Sequence, residues 1–365
     1  MKYFLIAGEK SGDLHASNLV SKLRKMDPKS EFYGYGGDRM EDSGMELLGH
    51  YSEVAFMGFV EVLINLQVIR QRMVDCQEQM LRLQPDLVIL IDYPGFNLRM
   101  AKFAKENNFQ VTYYIAPKVW AWNEGRVKKI RKYVDQLLCI LPFEQAYFAE
   151  RGVSAEYVGN PVAEAINDHS DVPIDRSDEA KVVACLPGSR AQEVTSSLDL
   201  ISAVAKENPN IFFMVAAVNN LPYDLYAVAR SVSNIEVLEE RTYDILRSAD
   251  AAIVVSGTAT LETALLKVPQ VVIYKASRIT YLIAKWLVKI KYISLVNLIN
   301  DEPTVKEMIQ QDFTVQKVNS ELQRLLLDND YRMQVTEGYG RLVKKIGQKK
   351  ASENAAAAIL KRVGN

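Results

Sequence analysis

Val182-Val183-Ala184-Cys185-Leu186-Pro187-Gly188-Ser189-Arg190-Ala191-Gln192-Glu193 decides the fold. Val182–Leu186 is a short apolar run with the length of a strand buried on both faces. Pro187, Gly188 and Ser189 turn the chain, and a helical pattern starts at Ala191. A strand that feeds a helix through a small-residue turn is one βα unit of a parallel, doubly wound sheet. The same turn gathers backbone N–H groups, a helix amino end and the Arg190 guanidinium around one point. That is an anion site suited to a diphosphate. A turn with only a structural duty has no need of Arg190. Gln192 and Glu193 lie beside it in the first turn of the helix.

The unit recurs on both sides. Upstream, Tyr3–Ala7, Asp86–Ile91, Val111–Ile115 and Leu137–Leu141 read as buried strands. Ala16, Leu19, Val20 and Leu23 mark one face of an intervening helix. Downstream, Ile211–Ala217, Ala251–Val255 and Gln270–Tyr274 continue the alternation. Residues 167–180, polar, acidic and carrying Pro173, interrupt it and read as a linker or surface loop. The chain is therefore expected to form two α/β halves joined near residue 170, with a last helical segment at 351–363.

Composition sets bounds on function. The 365 residues are 48% hydrophobic and 24% charged, which suits sizeable cores and rules out a disordered chain. Lys+Arg (44) and Asp+Glu (45) balance, which argues against a bulk electrostatic grip on nucleic acid. The three cysteines, Cys76, Cys139 and Cys185, have neither disulfide-framework nor zinc-site spacing and fit a reduced compartment. Tyr3–Ala7 is too short for the apolar region of a signal peptide. No stretch reaches the about 18 apolar residues of a bilayer span, which leaves open a chain that lies on a membrane surface.

Several strand ends carry chemistry. Ala7-Gly8-Glu9-Lys10-Ser11-Gly12-Asp13 is a strand-to-helix turn whose glycines let a ligand approach the backbone. Its spacing is neither G-x-G-x-x-G nor a Walker loop, and a plain tight turn explains it equally well. Ile91-Asp92-Tyr93-Pro94-Gly95-Phe96-Asn97 puts a carboxylate where α/β sheets bind ligands, and burial there can raise it into the range of a general base. Ala116-Pro117-Lys118-Val119-Trp120-Ala121-Trp122 is followed by Arg126, Lys128, Lys129, Arg131 and Lys132. Such an aromatic–basic cluster suits an anionic amphiphile or a membrane interface; the plainer alternative is a solvated helix face. Ser256-Gly257-Thr258-Ala259-Thr260-Leu261-Glu262 is a second strand–turn–helix entry, with Glu262 placed to accept hydrogen bonds from ribose hydroxyls or to face the helix dipole. Two apolar stretches, Val54–Ile69 and the one from Ile279 to Ile290, read as core helices or as lipid-facing ones. The scattered His15, His50 and His169 show no metal triad, and Asp328-Asn329-Asp330 reads as a turn that ends a helix.

Ala7-Gly8-Glu9, Ser11-Gly12-Asp13, Trp120-Ala121-Trp122, Leu141-Pro142-Phe143-Glu144, Leu186-Pro187-Gly188-Ser189-Arg190, Ser256-Gly257-Thr258-Ala259 and Ser294-Leu295-Val296-Asn297-Leu298 follow one another in this order. The set resembles the lipid-A-disaccharide synthases from about residue 3 to about residue 310. The resemblance implies a GT-B-type fold, two Rossmann-like domains with parallel sheets facing across a cleft. The expected division is 1–168 on the acceptor and lipid side and 169–344 for the UDP-sugar, with residues 345–365 packing back on the first domain. It implies an inverting glycosyl transfer without metal or cofactor. UDP-2,3-diacylglucosamine is the donor, 2,3-diacylglucosamine 1-phosphate (lipid X) the acceptor, and lipid A disaccharide 1-phosphate and UDP the products. It places the enzyme in the cytoplasm, peripheral on the inner membrane, with no nucleic acid partner and with a homodimer left open.

Under that resemblance Asp92 and Arg190 are the catalytic candidates. Gly8, Glu9, Ser11, Gly12, Trp120 and Trp122 line the acceptor side. Gly188, Ser189, Gln192, Glu193, Ser256, Gly257, Thr258, Glu262 and Asn297 bind the nucleotide sugar. Some family members carry a second aspartate where this chain has Gly95. Two alternatives stand beside this reading. One is another GT-B-type UDP-sugar enzyme, a lipid-linked sugar transferase or an epimerase. The other is a non-catalytic nucleotide-sugar or lipid binding protein.

Overall fold

A computed structural model describes residues 1–53, 66–170, 172, 174, 181–276 and 290–364. The apolar stretches at 54–65 and 277–289 lie outside the described residues. The chain forms two compact units, Met1–Pro161 with Gln348–Asn365, and Val162–Gly347.

The first unit is built on seven parallel strands: β1 (Lys2–Ala7), β2 (Glu31–Gly36), β3 (Glu46–His50), β4 (Leu87–Ile91), β5 (Gln110–Tyr114), β6 (Gln136–Cys139) and β7 (Ala155–Tyr157). Their order is β3-β2-β1-β4-β5-β6-β7. Side chains alternate across a strand, so one sheet yields two cores. Phe4, Ile6, Val88 and Leu90 enter one, and Tyr3, Leu5, Leu87, Ile89 and Ile91 enter the other. The second core is closed by two helices. Ala16, Leu19, Val20 and Leu23 of the helix Lys10–Met26 meet Ala355, Ala356 and Ile359 of the helix Ala351–Val363. The alanines near residue 355 let that last helix lie close. Asn354 Nδ2 donates to the carbonyl of Val158 at 3.0 Å, and Gln136 Nε2 donates to the carbonyl of Ala358 at 3.0 Å.

The second unit holds six parallel strands: β8 (Lys181–Leu186), β9 (Ile211–Ala217), β10 (Ile235–Glu239), β11 (Ala251–Val255), β12 (Gln270–Tyr274) and β13 (Lys306–Ile309). Their order is β10-β9-β8-β11-β12-β13. β8 and β11 are adjacent, with Val254 opposite Leu186, so the turns that follow them emerge side by side.

The division falls at 161/162, ahead of the expected boundary at 168/169. The polar segment is tied to the second unit by Asp244, whose Oδ1 accepts from the Val172 amide at 3.0 Å and lies 3.2 Å from His169 Nε2. Arg247 adds a bond to the carbonyl of Ile166 at 3.4 Å. The helix Pro161–Asp168 therefore goes with the unit it leads into.

Candidate functional site

In the first unit the expected residues gather at the carboxyl ends of β1, β4 and β5. The register sets Ala7 beside Ile91 and Ile91 beside Tyr114, so the three following turns are neighbours. Gly8 lies against the Tyr93 ring, and a Cβ there would come 2.2 Å from Tyr93 Cδ1. Glu9 precedes the helix Lys10–Met26 as its N-cap and accepts from Ser11 Oγ at 3.0 Å. Gly12 is buried on Ala7. Asp13 serves a neighbouring loop, where its carboxylate accepts from the amides of Gly37 (2.8 Å), Met40 (3.1 Å) and Arg39 (3.2 Å).

Asp92 directly follows β4 in a left-handed conformation, φ 44°, and Tyr93 comes next at φ 45°. Two successive non-glycine residues in this region store backbone strain. The surroundings hold them there: Asn97 Nδ2 donates to the carbonyls of Asp92 (2.9 Å) and Ile91 (3.1 Å), and the Tyr113 hydroxyl donates to the Asp92 carbonyl. The side chain of Asp92 has none of these duties. Burial pushes its carboxyl up to about 6, with the Glu9 charge adding to the rise and the Lys118 ammonium opposing it. A Cβ at Gly95 would meet nothing within 4 Å.

Trp120 and Trp122 differ in environment. Trp120 is half-buried, donates its indole N–H to Glu144 Oε1 at 3.0 Å and meets the Phe143 ring edge-on, centroids 5.0 Å apart. Trp122 is 47% exposed, and the Arg126 guanidinium lies 4.8 Å from its ring centroid. Behind it, the helix Arg126–Tyr133 buries Val127 and Ile130 and exposes Lys128, Lys129, Arg131 and Lys132.

In the second unit the two small-residue turns lie next to each other. After β8, Gly188 adopts φ 103° with Glu193 packed under it, and a Cβ would come 2.9 Å from Glu193 Oε2. Ser189, Arg190 and Gln192 are exposed at the start of the helix Ala191–Glu207, and Arg190 Nη1 lies 3.2 Å from Glu193 Oε1. After β11, Gly257 and Thr258 are exposed at the amino end of the helix Thr258–Leu265, and a Cβ at Gly257 would meet nothing within 4 Å. Two helices that follow adjacent parallel strands thus present their amino ends and an arginine at one edge of the sheet, a positive field suited to phosphate oxygens. Ser256 Oγ is engaged with the carbonyl of Ile293 at 2.9 Å.

Glu262 accepts from the Tyr243 hydroxyl at 3.0 Å, and burial raises its carboxyl above the ordinary range. Asn297 has a more structural place than a ligand contact requires. It is buried, its Nδ2 donates to the Val305 carbonyl and to Glu307 Oε1, both at 2.9 Å, and its Oδ1 accepts from the Val305 amide at 2.9 Å. Both of its amide hydrogens are used in joining the helix Leu295–Asn300 to β13 and the residue before it. Donation from this amide to a nucleotide would displace one of these partners. Asp328 accepts from the Tyr331 amide and caps the helix Asn329–Ile346, the turn role that its position suggests.

A cavity of about 730 Å³ opens at the opposite edge of the first sheet, lined by Met1, Asp86, Gln110, Gln136, Lys361 and Arg362 among others. It contains no expected site residue, and parallel sheets bind ligands at their carboxyl edge, so the turns at that edge are the candidate region of each unit. Among the described residues no cluster of His, Cys, Asp and Glu is arranged to hold a metal ion.

The fold and these turns define a class: two parallel-sheet Rossmann-like units shared by GT-B glycosyltransferases and UDP-sugar epimerases. The S. aureus MnaA–UDP co-structure superposes with a TM-score of 0.71 at 12% identity, over 100% of this chain and 97% of that one. The calicheamicin glycosyltransferase CalG4 superposes with a TM-score of 0.66 at 16% identity, over 100% and 99%. The family model for lipid-A-disaccharide synthetase matches residues 3–362. A Geobacter sulfurreducens lipid-A-disaccharide synthase is 36% identical over 374 aligned residues, 100% of this chain and 97% of the relative. The chain belongs to the lipid-A-disaccharide synthase family, glycosyltransferases of lipid A biosynthesis.

Proposed function

We propose that the chain transfers the sugar of UDP-2,3-diacylglucosamine to the 6-hydroxyl of 2,3-diacylglucosamine 1-phosphate. The products are the β-1,6-linked disaccharide 1-phosphate and UDP. The observation that carries the roles is a division of chemistry between the two sheets. A half-buried carboxylate, raised to about 6, directly follows β4, while adjacent helix amino ends with Arg190 follow β8 and β11.

Asp92 takes the proton of the acceptor hydroxyl as its oxygen attacks the anomeric carbon. The bond from that carbon to the diphosphate oxygen breaks with inversion, and UDP leaves with the electron pair. A leaving diphosphate gains negative charge, so donors fixed in advance lower the barrier. The amino ends at Ala191 and Thr258 and the Arg190 guanidinium supply that field, with Arg190 exchanging Glu193 for phosphate. Glu262 takes the ribose hydroxyls. Gly8, Glu9 and Ser11 shape the acceptor side.

The enzyme works at the cytoplasmic face of the inner membrane, as its diacylated substrates demand. Exposed Trp122 and the outward Lys128, Lys129, Arg131 and Lys132 support docking on anionic lipid. Flotation with anionic vesicles should fall as salt rises, and an absence of binding even at low salt would reject this docking face. For the reaction, both substrates are supplied and the product read by mass spectrometry. Disaccharide supports the reading; UDP release without disaccharide would point to hydrolysis, and a converted donor sugar to epimerisation.

A further inference from the structure

We propose that Glu144 is a positioning residue for the acceptor side: through Trp120 it fixes the turn at 115–122 so that Lys118 stands beside Asp92. The inference rests on the reading of Asp92 as the base.

The turn starts under strain. Ile115, a β-branched residue, follows β5 at φ 64°, a conformation that costs about 1–3 kcal/mol and persists only when its surroundings impose it. The strained pair Asp92–Tyr93 is next to it, and the Asp92 amide donates to the Tyr114 carbonyl at 3.2 Å. Glu144 supplies a restraint from outside the turn. It is 1% exposed, and both its oxygens are occupied. Oε1 takes the Trp120 indole N–H at 3.0 Å, and Oε2 takes the amides of Leu141 (3.0 Å) and Ile140 (3.2 Å). Phe143 backs the same indole. A carboxylate so enclosed cannot reach a substrate, and an apolar residue would fill the space without its desolvation cost. What the carboxylate adds is direction: it holds Trp120, and with it the backbone that carries Lys118.

Lys118 lies in this turn with its side chain exposed, and its carbonyl accepts from the Ala121 amide at 3.1 Å. Its ammonium favours the ionised form of both Asp92 and Glu144. The other ionisable groups facing Asp92 are Glu9 and Tyr113, and those facing Glu144 are Cys139 and Tyr157. None of these is a cation, so losing Lys118 from its place raises the carboxyl of Asp92.

The test compares pH profiles of kcat/KM for disaccharide formation in the wild-type enzyme, K118M, E144Q and W120F, with near-UV circular dichroism as a monitor of the Trp120 environment. K118M should move the acidic limb upward by about one pH unit. E144Q and W120F should move it in the same direction, with an altered tryptophan signal in E144Q. W120F breaks the same bond from the other side and serves if E144Q does not fold. A limb unmoved in K118M, or moved in K118M but not in W120F or a folded E144Q, overturns the proposal. Near-normal turnover in D92N would instead remove the base reading beneath it, whatever the other variants do.

Discussion

Gly8 and Tyr93 touch where β1 and β4 end, with no room between them for a methyl group: a Cβ on Gly8 would lie 2.2 Å from Tyr93 Cδ1. Tyr93 follows Asp92 in the same left-handed turn, so the first βα turn sets where the carboxylate sits. Gly8→Ala should push the ring aside, cost about 1–3 kcal/mol of stability and lower kcat by more than it raises KM for the donor. Gly340→Ala, in the helix Asn329–Ile346, is the control, since its Cβ would meet nothing within 4 Å. Steady-state kinetics and thermal melting of both variants check this; equal activity in the two would contradict it.

The acidity of Asp92 gives the rate a defined pH dependence. Burial raises the carboxyl from 3.8 to about 6. A base acts without its proton, so kcat/KM should climb as pH rises through about 6 and then level. Stability runs the other way. The folded carboxyl keeps its proton where the unfolded one has lost it, so this contribution is full below 3.8 and declines as pH rises through about 6. An acidic limb at the ordinary aspartate value would contradict the assignment.

Arg190 is 64% exposed at the amino end of its helix and pairs with Glu193 at 3.2 Å. An exposed pair of this kind contributes little to folding. Arg190→Ala should therefore leave the melting temperature nearly unchanged. It should weaken UDP binding by about 1.5–3 kcal/mol, roughly ten- to a hundredfold. Calorimetry with UDP reads this directly, and an unchanged affinity would reject the role.

The inner strands were legible because they are buried on both faces and read as continuous apolar runs. The strands that escaped are mostly at the edges: β3 and β7 of the first sheet, β10 and β13 of the second. Edge strands are partly exposed, as the half-buried residues of β3 show, and their apolar signal is diluted. β2, Glu31-Phe32-Tyr33-Gly34-Tyr35-Gly36, is interior, but its glycines read as turn residues. Within the candidate site, glycines and prolines at strand ends mark the turns at 8, 92 and 188. The partners that hold those turns lie on distant segments and leave no local pattern. Nothing around Trp120 announces Glu144, and nothing around Asn297 announces that Glu307 and Val305 consume its amide. The polar stretch reads as a linker or surface loop because the anchor of His169 and Val172, Asp244, also lies far along the chain.

The central claim is that the Asp92 carboxylate takes the proton of the acceptor hydroxyl. The turnover of Asp92→Asn with both substrates tests it most directly, because asparagine preserves the size of the side chain and removes its basicity. Disaccharide formation should fall by about 10²–10⁴-fold while melting and UDP affinity stay close to wild type. Near-normal turnover by a folded Asp92→Asn enzyme would contradict the account.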